Sequence, residues 1–188
     1  MKIIGITGSV ASGKTTASKI LSARRGPLFI ADKIVKEIYR KKSFKRTLSK
    51  KFRIRNLINL KSIIRKKIIE DKSNILKLER LIHPLVRKEM KKFLKKNKNK
   101  KFVFLEIPLL VESNLTSNFD KIIFIKAKRK IRLHRFLANG GNKNLFKMLD
   151  GKQYNDSEKI KHCDVVVVNE KNIKILKKKL SYIIKNYE

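Results

Sequence analysis

Acidic side chains are scarce in this chain: 15 Asp and Glu stand against 50 Lys and Arg over 188 residues, a formal net charge of +35. Cysteine is scarcer still. Cys163 stands alone, so it closes no disulfide within the chain and heads no cysteine-based metal cluster, which suits a reducing cytoplasmic setting. No apolar run approaches the ~20 residues that cross a bilayer, so no membrane partner is expected. The apolar stretch near Met1 is too short for a secretory signal, and no small-residue cleavage site follows it. Tryptophan is absent and aromatics make up 7% of the chain, with none of the basic–aromatic alternation that stacks bases.

What remains is 41% hydrophobic and 35% charged, the composition of one folded domain of 1–188 rather than a disordered chain. The positive charge has two readings: a footprint for nucleic acid, or drift toward Lys, Asn and Ile. The lysines are spread along the whole chain on polar helix faces, which favours drift. The shortage of acids is not accounted for by drift. No specific nucleic-acid partner is expected, and loose RNA association at low salt is.

Apolar runs of strand length alternate with helical patterns. Strands are expected at Ile3 to Thr7, Leu28 to Ala31, Phe102 to Ile107, Ile122 to Lys126 and Asp164 to Val168. Apolar on both faces and separated by helices, they predict an α/β fold with a five-stranded parallel sheet covered on each side. Lys14 to Arg24 carries a helical stripe, as does the last segment through Ile173, Leu176, Leu180 and Ile184. Between the second and third strands lie about seventy helical residues, too many for a plain crossover and suited to a second substrate's binding surface. His83-Pro84 is expected to close one helix there and precede another, because the residue before proline avoids helical angles. Residues 128–152 read as a polar helical flap around Gly140-Gly141.

The string Gly8-Ser9-Val10-Ala11-Ser12-Gly13-Lys14-Thr15 matches G-x-x-x-x-G-K-[ST], after a strand and opening a helix. Gly8 and Gly13 let successive N–H groups turn inward around a phosphate, and the helix beginning near Lys14 adds its positive end. In this motif Lys14 reaches the β- and γ-phosphates and the Thr15 hydroxyl ligates Mg²⁺. The chain therefore binds a nucleoside triphosphate. The loop does not say what happens to it, since switches, motors and kinases share it.

Ligands of open α/β sheets sit at the carboxyl ends of the strands, here Thr7, Asp32, Glu106, Lys126 and Asn169. Asp32 either handles the proton of an attacking hydroxyl or N-caps a helix over Lys33 to Arg40. Glu106 either holds the water shell of a metal or is an ordinary strand-end residue. His83 read alone is structural, for it has no visible partner.

Taken together, these pieces resemble the dephospho-CoA kinase family of P-loop kinases. The resemblance rests on Ile6-Thr7-Gly8 through Lys14-Thr15-Thr16, Ile30-Ala31-Asp32, Leu81-Ile82-His83-Pro84, Pro108-Leu109-Leu110-Val111-Glu112, Gln153, and Cys163-Asp164 through Asn169, in order over nearly the full length. It implies a three-layer P-loop kinase fold with a helical acceptor-binding insertion over about 33–100 and a helical lid over about 128–152. The implied activity is transfer of the ATP γ-phosphoryl group to the ribose 3′-hydroxyl of dephospho-CoA, with Mg²⁺ as cofactor. The implied catalytic residues are Asp32, Lys14 and Arg135. Those for ATP are Gly8, Ser9, Val10, Ala11, Ser12, Gly13, Lys14, Thr15, Thr16 and Asn169, with Thr15 on the metal. His83, Glu112 and Lys61 fall to the acceptor. The chain departs from the family pattern at Ile30, where the first acid of D-A-D is missing, and at Asn139, where the second of two lid arginines would stand. Lys143 or Lys147 could replace that arginine as point charges. The alternatives are another small-molecule or nucleotide kinase, or an RNA-associated nucleotide-binding protein.

Overall fold

In the computed structural model, which describes residues 1–55, 58–71 and 73–187, the apolar runs pair as a single parallel sheet. The order along the chain is β1 (Lys2–Thr7), α1 (Lys14–Ser22), β2 (Leu28–Ile30), α2 (Ala31–Arg40), α3 (Lys42–Phe52), α4 (Leu60–Glu70) and α5 (Ser73–Lys96). It continues through β3 (Phe102–Glu106), β4 (Lys121–Lys126), α6 (Arg129–Ala138), α7 (Lys143–Asp150), α8 (Asp156–Ile160), β5 (Val165–Val168) and α9 (Ile173–Lys185). The five strands lie β2-β3-β1-β4-β5. The expected helix-flanked parallel sheet is therefore present.

The chain divides into two compact units. The first comprises Met1–Ile30 and Asn97–Glu188 and is built on the sheet. Alternate residues Ile4, Ile6, Phe102, Phe104, Ile123 and Ile125 bury one sheet face against Ala17 and Leu21 of α1 and Leu176, Leu180 and Ile184 of α9. On the other face Gly5 leaves room for the Phe119 and Leu110 side chains, which a Cβ there would meet at 2.9 and 3.0 Å. Asparagine, abundant in this chain, is used as a helix cap: Asn142, Asn155 and Asn172 accept from Leu145, Glu158 and Ile175 amides to start α7, α8 and α9.

The second unit, Ala31–Lys96, is all helical and has its own core of Ile38, Phe44, Leu48, Phe52, Leu60 and Ile64. Two expectations fail in this stretch. The second strand stops at Ile30 rather than Ala31, and α2 starts at Ala31, so Asp32 lies inside the first helical turn and is not its N-cap. A cap residue must be non-helical; a carboxylate one position inside the helix is instead favoured by the positive end of the dipole. The second failure is at Pro84, which does not separate two helices but sits within α5. Proline deprives the Arg80 carbonyl of its helical partner at a cost of about 3 kcal/mol. The helix persists because Leu78, Leu81, Ile82 and Val86 form one apolar stripe across the proline, packed on this unit's core.

Candidate active site

Two glycines shape the loop between β1 and α1. Gly8 has φ +148°, and a Cβ there would meet the Ile125 carbonyl oxygen at 2.4 Å. Gly13 has φ +95°, and a Cβ there would lie 2.3 Å from the Asn169 amide nitrogen. Both positions demand glycine for space as well as for backbone angle. Within the loop the Ser12 amide donates to the Ser9 carbonyl at 3.1 Å and the Lys14 ammonium to the same oxygen at 2.9 Å. Lys14 is buried, whereas Thr15 and Thr16 lie exposed at the start of α1.

Register brings an acid to the foot of this loop. Ile6 of β1 pairs with Glu106 of β3, placing a carboxylate at the carboxyl end of the central strands. Glu106 is only 2% exposed; its Oε1 accepts from the Thr15 hydroxyl at 2.7 Å and its Oε2 from the Ser18 hydroxyl at 3.0 Å. The donors assembled here are hydroxyl and carboxylate oxygens, which suit a hard cation such as Mg²⁺ that keeps several waters and bridges to phosphates. Among the described residues no group of three or more His, Cys, Asp and Glu side chains could hold a metal unaided.

A second layer grips the loop from outside, and most of it went unread in the sequence. The Val10 amide donates to Gln153 Oε1 at 2.9 Å, and the Ser9 hydroxyl donates to Asp156. Arg132 is buried; its guanidinium reaches the Val10 carbonyl at 3.3 Å, pairs with Asp150 and stacks on Phe146. Arg135, one turn on, donates to the Ser12 carbonyl at 3.4 Å. Asn169 is buried and donates from Nδ2 to the same Ser12 oxygen at 2.8 Å. Thus Arg135 and Asn169 both reach the loop itself. Asn139, where the family pattern has an arginine, is exposed and donates to the Arg135 carbonyl at 2.8 Å, closing α6.

Glu112, expected on the acceptor side, has one oxygen committed to the fold. Oε1 pairs with the fully buried Lys159 ammonium at 2.8 Å and accepts from the Tyr154 amide at 3.0 Å. Its Oε2 is buried with no hydrogen-bond partner among the described residues. Lys159 also donates to the Pro108 carbonyl at 3.2 Å, which accepts from Thr7 as well. Arg132, Asp150, Asp156 and Lys159 lie in a stretch of charged residues where composition alone does not separate buried from solvated groups. Gln153 carried a signal, its place in the family pattern, that assigned it no partner.

Within the helical unit, Asp32 is exposed in the first turn of α2 and His83 is half-buried midway along α5. Lys61 of α4 lies over the Tyr39 ring, its Nζ 5.1 Å from the centroid, and burial of that tyrosine pushes its hydroxyl pKa up.

Known proteins place this arrangement. A family model described as dephospho-CoA kinase matches residues 2–174. A dephospho-CoA kinase of Fusobacterium nucleatum is 36% identical over 95% of this chain and 94% of its own length, and one of Rickettsia typhi is 33% identical over 100% and 98%. The solved dephospho-CoA kinase of Campylobacter jejuni superposes with a TM-score of 0.69 at 26% identity, covering 100% of this chain and 98% of that one. A loop built to cradle phosphates, with a buried acid beneath its threonine, thus sits in a chain that belongs to the dephospho-CoA kinase family.

Proposed function

We propose that this chain transfers the γ-phosphoryl group of ATP to the ribose 3′-hydroxyl of dephospho-CoA, the last step of coenzyme A synthesis, in the cytoplasm. The observation that carries the donor side is the Thr15–Glu106–Ser18 constellation beneath the Gly8–Thr15 loop. Loop amides and Lys14 hold the phosphates, and Thr15 and Glu106 hold Mg²⁺ with its waters. Mg²⁺ held there would supply charge neutralisation to the phosphates. Arg135, fixed through its contact to the Ser12 carbonyl, adds positive charge as the phosphoryl group moves. The α6–α7 hairpin serves as the lid that carries it.

On the acceptor side Asp32 takes the proton of the attacking 3′-hydroxyl, whose oxygen bonds to the γ-phosphorus as the ADP oxygen departs. The all-helical unit, through His83 and Lys61, and Glu112 from the loop after β3 bind dephospho-CoA. The exposed Asp32 carboxylate supports this division, for an acid without an ion pair in the described structure stays available to a substrate.

The test is direct. Purified protein with Mg-ATP and dephospho-CoA yields a product one phosphate heavier by mass, and Asp32→Asn lowers kcat by ~10²–10⁴. Product no greater than from Asp32→Ala refutes the reading. A panel with shikimate and deoxynucleosides separates this acceptor from those of other kinases.

A further inference from the structure

The functional reading leaves the positive charge unused, and that charge is unevenly distributed. Residues 31–96 carry 24 Lys and Arg against 6 Asp and Glu, while the much longer remainder carries 26 against 9. Within the helical unit five of these cations share one face of α5. Arg87, Lys88, Lys91, Lys92 and Lys95, with Pro84 at one end, line a shallow groove of about 430 Å³. All six are exposed.

Spacing on the helix brings these cations together. Arg87 and Lys91, Lys88 and Lys92, and Lys91 and Lys95 are i,i+4 neighbours, and each like-charge pair disfavours the helix that displays it. Glu89 is half-buried and engages Lys92 at 3.3 Å and Lys41 at 3.5 Å, so it does not neutralise the rest of the strip. A helix rises 1.5 Å per residue, so the cations run for about 12 Å with a repeat at each turn. A polyanion with regularly repeated charge relieves that repulsion and a single anion does not.

We propose that this face of α5 docks the sugar-phosphate backbone of RNA, independently of base sequence. The strip has no aromatic ring to stack a base, and lysine ammonium groups act as point charges rather than as base-reading forks. A membrane surface is disfavoured because the apolar stripe of α5, with Leu78, Leu81, Ile82 and Val86, is already packed on the helical core. The proposal is independent of the kinase reading.

The experiment titrates the full-length protein with fluorescent poly(U) across 50 to 200 mM KCl. Five phosphate contacts predict a slope of log K against log [salt] of about −3.5 for a single strand. Lys88→Gln/Lys91→Gln/Lys92→Gln/Lys95→Gln reduces the slope by about 3 while kinase activity and far-UV circular dichroism stay unchanged. The charge-matched control Lys171→Gln/Lys174→Gln/Lys177→Gln/Lys178→Gln changes it by less than about 1. Should the quadruple strip variant fold poorly, Lys91→Gln/Lys95→Gln is expected to show half the effect. Equal losses in strip and control variants, no binding to poly(U) at 50 mM KCl, or strip-dependent binding to phosphatidylglycerol vesicles but not to poly(U) overturns the proposal.

Discussion

Replacing Lys159 with methionine tests the structural role of its ion pair with Glu112. Lys159 is 0% exposed and its ammonium is held by Glu112 Oε1 at 2.8 Å and the Pro108 carbonyl at 3.2 Å. Methionine keeps the length of the side chain and removes the charge. The Glu112 carboxylate then keeps the Tyr154 amide as donor to Oε1, while Oε2 already lacks one among the described residues. Removing one partner of a buried pair costs about 3–5 kcal/mol, mostly from the charge left behind. At ~2 cal/mol/K per residue for a chain of this size, that is a fall in Tm of about 10 °C. Glu112→Gln should cost as much by stranding the lysine. The double variant Lys159→Met/Glu112→Gln should recover most of the loss, because glutamine still accepts from Tyr154 and no charge remains buried. Calorimetry and urea titration of the four proteins give the coupling. A shift below about 3 °C in Lys159→Met, or single losses that simply add in the double variant, would refute the argument.

Other expected outcomes follow from the same structure. Gly13→Ala places a methyl group 2.3 Å from the Asn169 amide at φ +95°, so ATP affinity measured by calorimetry should fall at least ~10-fold, with smaller loss at exposed Gly140 where nothing lies within 4 Å. Burial, and then the charge of Asp164, pushes the Cys163 thiol up to about 11, above its unfolded value. The native thiol should therefore resist iodoacetamide at pH 8 and react on unfolding. The sign for stability follows: the native state favours the protonated thiol, so wild-type Tm should fall between pH 9 and 11 more than that of Cys163→Ala. Asn139→Arg gives up the hydrogen bond to the Arg135 carbonyl that closes α6, about 1 kcal/mol, and should raise kcat if the lid is short of an arginine. Unchanged kcat would mean Arg135 suffices alone.

The sheet was legible because its central strands are buried on both faces and read as unbroken apolar runs, as in Phe102 to Leu105. The phosphate loop was legible because its glycines answer to backbone geometry, which sequence spacing records. Pro84 misled because local sterics predicted a break that tertiary packing of Leu81, Ile82 and Val86 overrode. Of the two roles open to Asp32 the cap fell by a single position, since Ala31 enters the helix straight from β2. The outer grip of Arg132, Asp150 and Asp156, like the buried Lys159–Glu112 pair, was invisible for a different reason. In a chain with 35% charged residues a buried lysine or arginine looks like its solvated neighbours, and only its distant partners distinguish it.

Those distant partners bear on how the protein is made. The side chains that clasp Gly8–Thr15 from outside, Arg132, Arg135, Gln153, Asp156 and Asn169, lie more than a hundred residues further down the chain. The strand leading into it waits as well, since β1 pairs only with β3 and β4. At roughly 5–20 residues per second, translation takes about 8–30 s to travel from Thr15 to Asn169. Until β3 is made the helical unit can close on its own local contacts, while β1 remains an unpaired apolar segment open to chaperones or to another nascent chain. The nucleotide loop is thus translated well before the side chains that clasp it and is among the last elements to take shape.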